Sequence, residues 1–214
     1  MLELGVKLVI AYLLGTALGS LILGMFRGVD IRSMGSGNAG ATNALRTQGK
    51  LFGFLVLLID IVKGALAVWW LPVAVLPGIG TDADLSRAWL TMACGFAVIV
   101  GHVYPVWFDF RGGKGAATVV GVVAGLELRL TVPLLLSWCV VLLLSGFVGL
   151  ATMLSTVALL VAVYILEPNN VPLLTFCAAV SAFVIYTHRS NIARMRAGKE
   201  HRARRLWLFR SRAA

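Results

Sequence analysis

The sequence predicts an all-α integral membrane protein: a polytopic bundle of seven transmembrane helices, N-terminus periplasmic and C-terminus cytoplasmic. Three observations carry this expectation. Of 214 residues, 59% are hydrophobic and 13% charged, and mean hydropathy is +0.91, whereas soluble domains hold about 25% charged residues. Apolar runs of crossing length recur along the chain. The basic residues behind a formal net charge of +10 fall mostly on one set of loops.

Crossing a bilayer core takes about 17–25 apolar residues. Gly5–Phe26 is the first such run. It is too long for a signal-peptide core and no small-residue cleavage pattern follows it, so it reads as a retained span. Leu51–Leu71, Ala88–Phe108, Leu150–Leu166 and Pro172–Tyr186 are further spans. Ala116–Leu126 and Thr131–Ser145 are short runs separated by Glu127 and Arg129. A re-entrant hairpin there would hold both charges at mid-membrane, at about 2.5–3.5 kcal/mol each. Two short crossings place them at the far interface and are favoured, which brings the number of spans to seven.

Residues 145–150 must then turn tightly, because one helix from Pro133 to Leu166 would run about 50 Å against a core of about 30 Å. No internal repeat is visible, so residues 1–214 read as one membrane-embedded domain ending in a basic tail, 187–214. Asp60 and Lys63 share a face of the second span and read as a structural pair, about three turns from the polar loops. Cys94, Cys139 and Cys177 are isolated in apolar runs, which argues against a disulfide framework or a metal site.

Seven spans bring loops 27–50 and 109–115, the turn 145–149 and the tail to one side. That side carries Arg27, Arg32, Arg46, Lys50, Arg111, Lys114 and nine basic residues of the tail, fifteen of the nineteen in the chain. The other side has Lys7, Arg87 and Arg129 beside several acids, and Lys63 lies within a span. The basic side is therefore expected in the cytoplasm. The hairpin alternative has the same parity.

Three polar segments share that side: GSGNAGATNALR (35–46), GHVYPVWFDFRGGKGAAT (101–118) and HRSNIARMRAGKEHR (188–202). Glycines such as Gly37, Gly112, Gly113 and Gly115 let backbone N–H groups approach an anion, and successive N–H groups in a turn form a nest for it. A following helix start adds positive potential. Arg46, Arg111 and Lys114 add full charges, and arginine grips phosphate with paired bonds. Ser36, Asn38, Thr42 and Asn43 offer neutral donors. Taken singly, each segment has a plainer reading as a flexible basic loop; three on one face favour an anion site.

RGGKGAAT does not fit the Walker pattern, because Gly115 follows Lys114 and Phe108 stands where its first glycine belongs. No nucleotide site and no nucleic-acid partner are expected. His102 precedes a proline-containing segment and reads as a brace for that loop. His188, with Asn191 one turn on, is the stronger candidate for chemistry. His201 reads as solvated.

At these segments the sequence resembles the bacterial acyl-phosphate:glycerol-3-phosphate acyltransferases of the PlsY type, over essentially the whole chain. The family's S-G-N-x-G-A-T-N-x-L-R pattern, its G-H-x-x-P and F-[KR]-G-G-K-G-x-A-T stretches, and its H-x-x-N-I-x-R pattern occur in order. The resemblance implies a multi-pass inner-membrane enzyme whose active site faces the cytoplasm. It implies acyl transfer from acyl-phosphate to the 1-hydroxyl of glycerol-3-phosphate, giving lysophosphatidic acid, without metal, cofactor, acyl-carrier or coenzyme A donor. It carries His102 into the substrate-binding set with Ser36, Gly37, Asn38, Thr42, Asn43, Arg46, Arg111, Gly112, Gly113, Lys114 and Gly115. The H-x4-D pattern of other glycerolipid acyltransferases is absent.

Three departures stand out: Ala39 for the usual proline, Arg111 for the commoner lysine, and Gly149 where the family's turn usually has serine, a part Ser145 could take. The expected partners are the two phosphate substrates and membrane lipid, with no obligate protein partner evident. A transporter of a small organic phosphate is the competing class, but it should show related halves or broken helices at mid-membrane.

An ordinary imidazole pKa of about 6.5 suits His188 as general base, and Asn191 as orienting group or oxyanion donor. The alternative acceptor of the proton is a substrate phosphate. No Ser-His-Asp or Cys-His pattern is evident, so direct transfer is expected. Parity also makes a topological prediction. A reporter at residue 78 reads periplasmic and one after residue 205 cytoplasmic; finding both on one side refutes the count.

Overall fold

A computed structural model describes residues 1–203 and 206–209. Arg204, Arg205, Arg210 and Arg212 of the basic tail lie outside the described residues. Every regular element among the described residues is helical. They fall into two compact units, Met1–Leu128 and Arg129–Ala214.

The first unit contains α1 (Leu2–Thr16), α2 (Gly19–Arg27), α3 (Ala41–Gln48), α4 (Lys50–Trp69), α5 (Arg87–Val103) and α6 (Ala116–Leu126). Packing of α4 on α6 and of α1 on α5 brings backbones into contact. A Cβ on Gly121 would lie 1.9 Å from the Ile61 carbonyl oxygen, and one on Gly15 would lie 2.2 Å from that of Val98. In lipid, where apolar burial alone does not favour helix over solvent, such small-residue seams drive association.

The run expected as one straight span, Gly5–Phe26, is broken. α1 and α2 meet at a 44° bend. Such a break orphans backbone groups, which an apolar surrounding does not satisfy. α4 supplies the partners. Lys63 Nζ donates to the Gly15 and Ala17 carbonyls at 2.9 and 3.0 Å, and the Gly19 N–H donates to Asp60 Oδ1 at 3.3 Å. Asp60 and Lys63 are themselves paired at 2.9 Å, both buried.

At the other end of α1, buried Glu3 accepts from Lys7 Nζ at 2.9 Å and from both terminal nitrogens of Arg87 at 2.6 and 2.8 Å. Lys7 also donates to the Pro72 carbonyl at 2.7 Å, and the Asp82 N–H donates to Glu3 at 2.8 Å. This network ties the start of α1 to the 70–86 loop and the start of α5. A cleft of about 460 Å³ lies against it.

The second unit contains α7 (Thr131–Ser145), α8 (Val148–Leu166), α9 (Val171–Thr187) and α10 (Arg189–Arg196). Gly146, at φ 74°, turns the chain between α7 and α8. Arg202 lies over the Phe147 and Trp207 rings at 4.7 and 4.2 Å, so the tail folds back on that turn.

Among the described residues, four helical segments are long and apolar enough to cross a membrane, or up to six if the bent pairs α1–α2 and α9–α10 each count as one. α6, with 11 residues, is shorter than the roughly 17 a straight crossing takes.

Candidate active site

The first polar segment is a loop closed by one amide. Asn43, at the start of α3, is buried. Its Oδ1 accepts the Ser36 N–H at 3.0 Å, while Nδ2 lies 3.2, 2.9 and 3.1 Å from the Ile31, Met34 and Asn38 carbonyls. Ser20 adds a hydroxyl bond to the Ala39 carbonyl at 2.6 Å. The sequence reading makes Asn43 a donor to an anion; here both ends of its amide are engaged by the loop backbone. What the loop presents outward is Ser36, Gly37 and, from the first turns of α3, Thr42 and Arg46, all exposed. Thr42 and Arg46 are four apart and share a helix face. Asn38 is half-buried.

The second segment folds back onto the end of α5. The Gly112 N–H donates to the Val103 carbonyl and the Gly113 N–H to that of His102, both at 3.1 Å. Asp109 and Phe110 take consecutive left-handed conformations at φ 56° and 55°, uncommon for residues with a Cβ. Both glycines are required by contact. A Cβ on Gly112 would lie 2.1 Å from the His102 carbonyl oxygen, and one on Gly113 2.1 Å from His102 Nε2. His102, expected among the substrate-binding residues, thus lies buried behind the turn. Its Nδ1 is 3.0 Å from Lys63 Nζ. Arg111 is exposed, Gly112 and Lys114 are half-buried, and Gly113 and Gly115 are buried. Gly115, at φ 87°, starts α6.

The two loops are held together by Arg32, which the sequence reading counted only as charge. Arg32 pairs with Asp30 at 2.8 Å and donates to the Phe108 carbonyl at 2.9 Å. The guanidinium holds the Asp30 carboxyl below the ordinary aspartate range. Asp30 in turn raises Arg32. Phe108 also packs with Leu18, Leu21 and Ala39. The first and second motifs therefore form one basic, glycine-rich surface.

The Asp60–Lys63 pair, expected about three turns away from these loops, is joined to the second one through His102. Distance along α4 misjudged it because the partner comes from α5.

In the second unit, His188 stands at the 52° bend between α9 and α10. It is buried, and its Nδ1 lies 2.8 Å from the Val184 carbonyl oxygen. A carbonyl only accepts, so Nδ1 carries a proton, and in the neutral form of the ring the basic lone pair is on Nε2. Asn191, buried one turn on, donates from Nδ2 to Glu200 Oε1 at 2.7 Å, and Arg194 Nε donates to Glu200 Oε2 at 2.6 Å. Glu200 was missed by the sequence reading. It is the lone acid in the tail, which was the available signal.

Where a serine was expected, a Cβ on Gly149 would already lie 2.9 Å from the Asn191 amide. The Ser145 hydroxyl donates to the Val141 carbonyl at 2.7 Å and accepts the Phe147 N–H at 3.1 Å, so it is engaged in its own turn. Among the described residues, no three His, Cys, Asp or Glu side chains converge as a metal site requires.

A family model described as glycerol-3-phosphate acyltransferase matches residues 6–198. A glycerol-3-phosphate acyltransferase of Aquifex aeolicus is 36% identical over 195 residues, 91% of this chain and 96% of the relative. One of Laribacter hongkongensis is 39% identical over 197 residues, covering 92% and 94%. The chain also superposes with TM-score 0.79 and 35% identity on the crystal structure of PlsY (YgiH), an integral membrane glycerol 3-phosphate acyltransferase, in its glycerol 3-phosphate form. That match covers 93% of this chain and 94% of the other. A lysophosphatidic acid form of the same protein matches with TM-score 0.78 and 33% identity.

The amide-closed loop makes a stability prediction. Asn43→Ala strands the Ser36 N–H and three carbonyls, and an unsatisfied buried group costs about 1–3 kcal/mol. Thermal unfolding in detergent is expected several degrees lower, with earlier proteolysis between residues 33 and 40. An unchanged midpoint would show that the amide does not hold the loop.

Proposed function

The chain belongs to the glycerol-3-phosphate acyltransferase family, and we propose that it transfers an acyl group from acyl-phosphate to the 1-hydroxyl of glycerol 3-phosphate. The products are 1-acyl-glycerol 3-phosphate, that is lysophosphatidic acid, and inorganic phosphate. The observation that carries this reading is the joined surface of the first two motifs. Arg32 holds two glycine-rich loops side by side, and these expose Ser36, Thr42, Arg46 and Arg111. Two phosphate-bearing substrates need such a surface, because guanidinium, ammonium and N–H donors together make a strong phosphate grip. The matched forms of PlsY, named for glycerol 3-phosphate and for lysophosphatidic acid, support the same acceptor and product here.

Ser36, Gly37, Asn38, Thr42, Arg46, Arg111, Lys114 and the 112–115 backbone bind the phosphates; Asn43 and His102 hold the loops that present them. The acceptor oxygen attacks the acyl carbonyl carbon, the new C–O ester bond forms, and the carbonyl–phosphate C–O bond breaks with its electron pair leaving on phosphate. The hydroxyl proton goes to Nε2 of His188, whose Nδ1 is held on the Val184 carbonyl. Asn191, oriented by Glu200, positions substrate or stabilises the oxyanion. No acyl-enzyme forms. The same reading has one membrane-embedded domain of seven spans in the bacterial inner membrane, with an outside N-terminus and the active site facing the cytoplasm, α6 being a short crossing.

Purified protein given acyl-phosphate and glycerol 3-phosphate is expected to release lysophosphatidic acid and inorganic phosphate. No acylated product, with phosphate-ester uptake into vesicles instead, would favour a transporter. A charge-assisted contact is worth roughly 1.5–3 kcal/mol, so Arg46→Ala and Lys114→Ala should each lower turnover at least tenfold. Near-normal kinetics in both at all substrate concentrations would remove the clamp.

General bases contribute about 10²–10⁴-fold, and His188→Ala should lose that much. If His188→Asn or His188→Gln turns over near the wild-type rate, the ring only positions a substrate and a phosphate oxygen takes the proton. A trapped acyl-protein adduct in donor-only reactions would replace direct transfer.

A further inference from the structure

Asp60 and Lys63 are a buried ion pair inside a membrane span, where ionisable residues are functional by default. Nothing in the chemistry above uses them. Their surroundings, however, lead to the second motif in two steps. Lys63 Nζ has four acceptors within 3.0 Å: Asp60 Oδ1, the Gly15 and Ala17 carbonyls, and His102 Nδ1. The carboxylate and the two carbonyls hold it as an ammonium, which has no acceptor and whose three N–H groups face four neighbours, so that one is shared. His102 Nδ1 lies 3.0 Å from that ammonium and 3.5 Å from Asp60 Oδ1, and toward the nearer, cationic neighbour it presents its lone pair. The neutral His102 ring then carries its proton on Nε2, and it is Nε2 that fills the place of the absent Gly113 side chain.

We propose that Asp60 and Lys63 are positioning residues for acyl transfer, acting through His102: they fix its Nε2–H tautomer and so seat the Gly112–Gly113 turn that presents Lys114. This rests on the acyltransferase reading of the site. The inference follows from direction. Ring rotation or a change of tautomer would turn a lone pair or a C–H toward Gly113, and the turn has no slack, since its two N–H groups are already bonded to Val103 and His102 carbonyls at 3.1 Å. The same lysine holds the α1–α2 break, so the helix break and the glycine turn are set by one ammonium. A purely structural pair would need only the break.

The test uses a double variant, Asp60→Leu/Lys63→Met, because replacing a buried ion pair by apolar side chains of similar size is often neutral or stabilising, whereas removing one partner is not. Because the Gly15 and Ala17 carbonyls and the Gly19 N–H lose their partners, the full-length variant in detergent is expected to melt below wild type, and its kcat/KM, measured below that transition, to fall at least tenfold. Histidine-selective ¹⁵N labelling reads the ring directly, with the His102 signals assigned by their loss in His102→Gln. In the wild-type protein they should report a neutral ring protonated at Nε2, and in the double variant a mixture of tautomers.

A folded double variant that turns over at the wild-type rate overturns the proposal. So does a wild-type His102 ring protonated at Nδ1, a result that stands even if the double variant fails to fold. Loss of the acyltransferase reading is separate: it would show as a wild-type protein without acyl product, whatever the tautomer.

Discussion

A backbone carbonyl in hydrocarbon has no water to turn to, and the break between α1 and α2 leaves two of them without helical partners. Lys63 answers both, and Asp60 answers the facing N–H of Gly19. An ammonium bonded to two carbonyls and a carboxylate is tolerable in this setting only because every donor is engaged. The remaining architecture of the first unit depends on that satisfaction. With the break held, α2 leads into the first polar loop at the angle that lets Leu18 and Leu21 pack on Ala39 and Phe108, and the two loops meet.

The loops are built by a similar economy of partners. In the first, one buried asparagine substitutes for the hydrogen bonds a regular element would have made. In the second, two glycines let the returning strand of loop sit on the last turn of α5 at backbone contact. The consequence for chemistry is that the long cationic side chains are mounted on backbone already fixed by bonds behind them. An anion meeting such a surface requires little reorganisation, the condition under which electrostatic stabilisation is most effective.

Much of this was legible in the sequence. α6 and α7 have the bounds expected for their apolar runs, since a helix in lipid is marked by where polar residues stop and start. The three polar segments were found by their glycine, amide and basic content. What stayed hidden were relations between elements far apart in the chain. GTALGS gives no sign that a helix breaks there, because the groups that make the break tolerable are about forty residues away in α4. Asn43 and Ser36 look alike as small polar residues, and only burial separates the one that holds the loop from the one that faces outward. Glu200 reads as a solvated tail residue until Asn191 and Arg194 are seen to share it. α3 and α10 lie inside polar motifs with no apolar period to announce them.

The glycine seams bear on how a greasy molecule can reach this protein. Between α4 and α6, and between α1 and α5, backbone touches backbone with no room for even one added methyl group. A hydrocarbon tail cannot slip through either joint, so both act as closed walls toward the bilayer. In the acyltransferase reading, a donor's tail would have to be admitted along a face bounded by side chains, which can swing, and not through these seams. Tail length would then be discriminated by what those movable side chains leave open, and the rigid seams would have no part in the choice.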